Sequence, residues 1–105
     1  MTANELTQYA LKVLNLNGFE VWRNNAIPVK GRAFIGRKGV PDIIGFCKKT
    51  GVFIGVEIKI GKDFLNPDQI SFITELNKSK GYAIVVKVPD DIDNFLKKYH
   101  VTNAA

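Results

Sequence analysis

The sequence predicts an α/β fold in which a mixed sheet is flanked by helices. Three observations carry that expectation. Apolar residues recur at helical spacing after Thr2, after Asn66 and after Pro89. Four short runs rich in β-branched and aromatic residues lie between these segments, at 19–23, 42–47, 52–60 and 82–88. The last two of these runs enclose a helical segment, the arrangement of a right-handed crossover between parallel strands.

Each element has a local cause. Thr2-Ala3-Asn4-Glu5 has capping-box spacing, and Leu6, Tyr9, Ala10, Val13 and Leu14 then keep helical period until Gly18, giving a helix over 3–17. Phe19 to Arg23 alternates as a first strand. Residues 24–40 carry Pro28, three glycines and four basic residues, a basic loop with room for a short hairpin arm at Ala33–Ile35. Pro41 leads into a second strand ending at Cys47. Lys48-Lys49-Thr50-Gly51 reads as a tight turn into an antiparallel third strand, Val52 to Ile60. Asn66-Pro67-Asp68-Gln69 announces a helix with an Asn cap, Pro at its first position and Gln at its third. Ile70, Ile73 and Leu76 continue it to Gly81, where a left-handed cap is expected. Tyr82 to Val88 is a fourth strand, and Ile92, Phe95, Leu96 and Tyr99 mark a last amphipathic helix whose tail frays from Val101. The order is α-β-β-β-α-β-α, without repeats or linkers, so residues 1–105 are expected to form a single domain of 11.7 kDa.

Composition removes several classes of chemistry. The single cysteine, Cys47, cannot form an intramolecular disulfide or a thiolate zinc site, and is expected to be a small core side chain. The lone His100, the sixth residue from the end, leaves no triad or histidine-rich metal site. No apolar run is long enough to span a membrane, and Glu5 stands where a signal peptide would be basic and then apolar. The expectation is a soluble, intracellular protein, in the cytoplasm or nucleoid of a host cell, with no membrane partner.

Net charge is +5, and it is unevenly spread. Residues 23–62 hold nine basic side chains, Arg23, Lys30, Arg32, Arg37, Lys38, Lys48, Lys49, Lys59 and Lys62, against only Asp42 and Glu57, a net of +7. Both flanks are slightly acidic. Such a block is either a solvated face or a polyanion-binding surface, with nucleic acid the usual partner. Trp22, beside it, reads as a core or dimer contact in preference to a base-stacking residue.

The two acids inside the block are the candidate chemistry. Strand alternation places Glu57 and Lys59 on one face of the third strand. If the hairpin closes at Lys48 and Gly51, Asp42 lies opposite Glu57; if it closes at Lys49 and Val52, Asp42 lies opposite Lys59. Either two-residue turn brings Asp42, Glu57 and Lys59 to one face. Paired carboxylates suit a hard divalent cation, Mg²⁺ or Mn²⁺. Such a cation polarises a phosphoryl oxygen and acidifies a bound water, while a neighbouring lysine orients that water and offsets developing charge. A buried ion pair of Lys59 with Glu57 or Asp42, with no function, is the alternative.

Gly39-Val40-Pro41-Asp42 followed by Val56-Glu57-Ile58-Lys59 resembles the bipartite PD-(D/E)xK nuclease signature. With Asn66-Pro67-Asp68-Gln69, Phe72 and Gly81 before a hydrophobic strand, residues 5–88 resemble the VRR-NUC (virus-type replication-repair nuclease) group in its small standalone, phage-like form. The resemblance implies a restriction-endonuclease-like α-β-β-β-α-β core. It implies that Asp42 and Glu57 bind metal, with the main-chain carbonyl of Ile58 as third protein ligand, and that Lys59 is catalytic. It gives Gln69 a place in holding the site, beside its capping role. It matches Glu5 to an acidic residue on the first helix, although the capping box already explains that residue.

The function expected on that basis is Mg²⁺-dependent hydrolysis of DNA phosphodiesters, in branched DNA such as Holliday junctions, by a homodimer. Arg23, Lys30, Arg32, Arg37, Lys38 and Lys62 would contact the nucleic acid, with the loop from Asn24 to Lys38 wrapping or wedging into it. The last helix, with Phe95 and Tyr99, is a dimer-interface candidate. The alternative is a non-catalytic nucleic-acid-binding module or subunit that keeps the nuclease-like fold.

Overall fold

The computed structural model describes residues 1–24 and 36–103, the last three as backbone only. The elements run α1 (Ala3–Leu16), β1 (Phe19–Arg23), β2 (Ile43–Cys47), β3 (Phe53–Ile58), α2 (Pro67–Lys78), β4 (Tyr82–Val86) and α3 (Pro89–Asn103). The expected order is therefore found, with the third and fourth strands trimmed at their ends. The expected hairpin arm at 33–35 lies outside the described residues.

The four strands form one sheet in the order β1-β2-β3-β4. β1 and β3 each run antiparallel to β2, and β4 runs parallel to β3 across the α2 crossover, so the sheet is mixed. On one face, Leu6, Ala10 and Leu14 of α1 and Ile92 and Leu96 of α3 meet Phe19, Val21, Ile43, Cys47, Ile54 and Val56, all buried. Phe19, Tyr82, Phe95 and Tyr99 form an aromatic cluster at the edge of this core, with Phe19 and Tyr99 edge to face at 4.9 Å. Phe95 and Tyr99, expected as interface candidates, thus pack within their own chain. Trp22 is 47% exposed and meets Phe46 edge to face, its one ring contact among the described residues, so it is no core residue.

The opposite face carries α2 and the candidate site. Ile70 was expected on the buried side of α2, yet it is half exposed, and no α2 residue is fully buried. The helix covers only part of its face because Gln69 and Leu76, not Ile70, point at the sheet. Its C-terminus also differs from expectation. Lys80, not Gly81, takes the left-handed conformation (φ 68°), while Gly81 N–H reaches back to the Leu76 carbonyl at 2.9 Å and Lys80 N–H to the Asn77 carbonyl. That pair of bonds is a Schellman closure. Glycine is required at 81 for a different reason: a Cβ there would run into the Leu76 side chain.

The β2–β3 connection decides the register of the site. Cys47 N–H donates to the Val52 carbonyl and Gly51 N–H to the Cys47 carbonyl, so the turn is the four-residue loop Lys48–Gly51, not a two-residue turn. Ile43 pairs with Val56 and Ile44 with Gly55. Continued by one residue, this register sets Asp42 opposite Glu57, the first of the two alternatives.

Candidate active site

Asp42 stands just before β2, and its neighbours fix it through the backbone. Asn24 N–H donates to the Asp42 carbonyl at 2.7 Å, and Asn24 Nδ2 donates to the carbonyl of the buried Pro41. The Asp42 carboxylate accepts the Ile58 N–H at Oδ2, 2.8 Å away. β3's own backbone thereby orients the first acid. Sequence reasoning missed Asn24, an ordinary loop residue whose only signal was its place immediately after a strand.

Glu57 lies on the α2 face of β3 and is only 2% exposed. Its Oε1 accepts a bond from Gln69 Nε2 at 3.3 Å, and its Oε2 is buried with no hydrogen-bond partner among the described residues. Burial above all, and then the adjacent Asp42 carboxylate, pushes the Glu57 carboxyl up from 4.5 to about 8, with Lys59 acting in the opposite direction. A closed Glu57–Lys59 ion pair does not describe this arrangement, because Oε2 is left without a donor. Lys59 follows on the same face, half-buried, its N–H bonded to the Val86 carbonyl at 3.0 Å.

Gln69 is oriented from both ends of its amide. Its Oε1 accepts the Asn66 N–H at 2.9 Å, closing the capping box of α2, which turns Nε2 toward Glu57. The two roles expected of Gln69 are the two ends of one side chain. The loop holding Asp42 is pressed against the same helix start. Gly39 has φ 83°, and a Cβ on it would overlap the Asp68 carbonyl and approach Gln69 N to 2.9 Å. Only glycine permits both the backbone conformation and the contact.

The remaining candidates divide. Glu5 is exposed, with Oε1 accepting the Thr2 N–H at 2.8 Å while Thr2 Oγ1 accepts the Glu5 N–H, and these bonds hold its carboxyl below the usual range. Its hydrogen bonds are those of the capping box. Arg23, Arg37, Lys38 and Lys62 are exposed. Arg23 is tethered to Asn4 Oδ1 at 2.9 Å, and the Arg37 guanidinium stands 4.6 Å over the Phe72 ring. Lys30 and Arg32 lie outside the described residues. Among the described residues no three His, Cys, Asp or Glu side chains gather as a metal cluster, so any cation would rest on the two carboxylates and main-chain oxygen. No described helix is long and apolar enough to cross a membrane.

The family model of the VRR-NUC domain matches residues 28–90, well over half of the chain. The chain belongs to the VRR-NUC family. No curated protein matches it. A solved "VRR_NUC domain" superposes with a TM-score of 0.67 at 22% identity, covering 94% of this chain and 99% of its own. A solved "VRR_NUC domain protein" gives 0.66 at 20% identity, covering 96% of this chain and 89% of its own. At such identity these two show a common fold. Within a VRR-NUC frame, Asp42, just before β2, and Glu57, on β3, lie at one end of the sheet, and α2 brings the Gln69 amide to Glu57.

Proposed function

We propose that this VRR-NUC chain, taken as one domain over residues 1–105, is a metal-dependent DNA endonuclease. It hydrolyses phosphodiester bonds with a preference for branched DNA such as Holliday junctions, and it acts as a homodimer. The observation that carries this reading is Glu57 Oε2, a buried carboxylate oxygen with no donor among the described residues, set beside a second carboxylate. Unpartnered buried polar atoms are uncommon because burying one without a bond costs about 1–3 kcal/mol. Here a cation would relieve the cost.

The residues present fit Mg²⁺ or Mn²⁺, which favour hard oxygen donors. Asp42, Glu57 and the Ile58 carbonyl would hold the ion, which when bound acidifies water and polarises a phosphoryl oxygen. The chain's own residues do the rest. Ile58 N–H fixes the Asp42 carboxylate, and Gln69 fixes Glu57. Lys59 brings an ammonium to the same face, where it orients the attacking water and offsets charge developing on the phosphoryl oxygens.

Exposed Arg23, Arg37, Lys38 and Lys62 supply the phosphate-backbone contacts, a term that carries affinity without base sequence. A twofold pair of such surfaces would address two strands of a junction at once. The test is incubation with a labelled four-way junction and a matched linear duplex in Mg²⁺, with EDTA and Asp42→Ala controls. Symmetric, metal-dependent nicks in the junction that the variant does not make are expected; steeply salt-sensitive binding that leaves DNA intact would overturn the reading.

A further inference from the structure

Phe64 is 85% exposed, the most of any large apolar side chain described. Single exposed apolar residues are common on surfaces, so its significance depends on what surrounds it. The loop that carries it begins just after Lys59 and ends at Asn66, whose cap seats Gln69 against Glu57. Phe64 is two residues from Asn66, so their Cα atoms are within about 7.6 Å. Asn66 also lines a cavity of about 320 Å³ together with Asn24, Arg37, Lys38 and Asp68. The Arg37 guanidinium is held at that cavity by its seat 4.6 Å over Phe72, and Asn24 is the residue that grips the Asp42 segment. An exposed ring with no aromatic partner among the described residues, two cations and two amide side chains are thus tied, through Asn66 and Asn24, to the segments that carry Glu57 and Asp42.

We infer that Phe64 and the cavity lined by Asn24, Arg37 and Asn66 form a subsite for an unstacked nucleotide next to the scissile phosphate. The inference rests on the nuclease reading and narrows its substrate class. Arg37 and Lys38 take the flanking phosphate, and the base stacks on Phe64. Any base has a π-face, so the subsite is indifferent to sequence. A base paired inside an intact duplex cannot reach it, whereas one freed at a branch point or in a single strand can.

The test uses the full chain in EDTA, so that no DNA is cut, with 2-aminopurine-labelled single strand, four-way junction and fully paired duplex. Phe64→Ala and Phe64→Leu are expected to weaken binding to the single strand and junction about tenfold while leaving the duplex nearly unchanged. Phe64→Trp is expected to keep wild-type affinity and to quench the probe. The inference is overturned if Phe64→Leu binds like wild type, if all three DNAs weaken alike, or if Phe64→Ala changes the oligomeric state in light scattering, which would make the ring a contact between copies. Failure of the parent reading is distinguishable. Wild type that cuts nothing in Mg²⁺, with the Phe64 difference intact, removes the nuclease and keeps the subsite; wild type that cuts the junction, with Phe64→Ala binding unchanged, removes only the subsite.

Discussion

Gln69 donates Nε2 to Glu57 Oε1 at 3.3 Å while its own Oε1 accepts the Asn66 N–H at 2.9 Å, so the helix cap of α2 and the orientation of a buried acid depend on one amide. The two contacts can be separated by substitution. Gln69→Ala loses both, and should cost about 1 kcal/mol of stability, the usual value of a cap, in urea unfolding. Cleavage of the junction should fall at least about tenfold, since Glu57 then lacks the Gln69 donor that orients it. Gln69→Glu keeps the capping acceptor but adds a further carboxylate beside Glu57 and Asp42. It should restore helix capping and leave cleavage as low as in the alanine variant.

Glu57 also governs how stability depends on pH in the metal-free protein. Its carboxyl titrates near 8 in the fold against an ordinary 4.5, so the native state binds the extra proton between those values. Stability from this group is present below pH 4.5 and is lost as pH rises toward 8. With allowance for solvent screening, the loss should be about 2 kcal/mol. Thermal unfolding in EDTA should show a midpoint that falls from pH 5 to pH 8.5. Glu57→Gln, neutral throughout, should flatten that slope and exceed wild type at pH 8.5. Added Mg²⁺ should raise the wild-type midpoint most at high pH, where the carboxylate is free to bind it, and should do nothing for the glutamine variant.

Gly39→Ala tests whether the Asp42 loop must lie against the start of α2. The substitution forces a Cβ onto a φ of 83° and into the Asp68 carbonyl, beside the peptide that carries Gln69. A loss of about 2 kcal/mol is expected, combining backbone strain with displacement of the helix start. Gly18→Ala is the control, because its φ of 90° is as strained but open space surrounds it. Both variants should lose stability. Only Gly39→Ala should also lose cleavage per folded molecule, measured at a temperature where both are folded.

Much of this architecture was legible from the chain because local signals agreed. Thr2 with Glu5 and Asn66 with Gln69 each announce a capping box, and both boxes are formed. Alternation set Glu57 on one face of β3, and an even-length turn kept Asp42 opposite it, although the loop has four residues instead of two. What could not be read depended on contacts between distant segments. Asn24 reaches the Asp42 segment from the end of β1, which no spacing encodes. Gly81 looked like a helix-ending glycine, yet its role is to admit the Leu76 side chain while Lys80 takes the strained position. Ile70 fits the helical period of α2 but faces water, because that helix covers only part of its sheet face.

Cys47 and Tyr99 provide a test at the other end of the sheet. Cys47 is fully buried, and its Sγ lies 3.0 Å from the Tyr99 hydroxyl, a bond that pushes the phenol up to about 12. The pair joins the last residue of β2 to α3, beside the Phe19 ring. Tyr99→Phe removes the bond and keeps the ring, and should cost about 1 kcal/mol in urea unfolding. Phe19→Ala removes a fully buried ring from the same cluster and should cost about 3–5 kcal/mol. Five residues of strand separate Cys47 from Asp42, roughly 17 Å at the usual rise of about 3.4 Å per residue. Tyr99→Phe should therefore leave cleavage per folded molecule unchanged, with the thiol still slow to react with a water-soluble disulfide reagent. Loss of cleavage in that variant without loss of stability would mean that the two ends of the sheet are coupled more tightly than their packing implies.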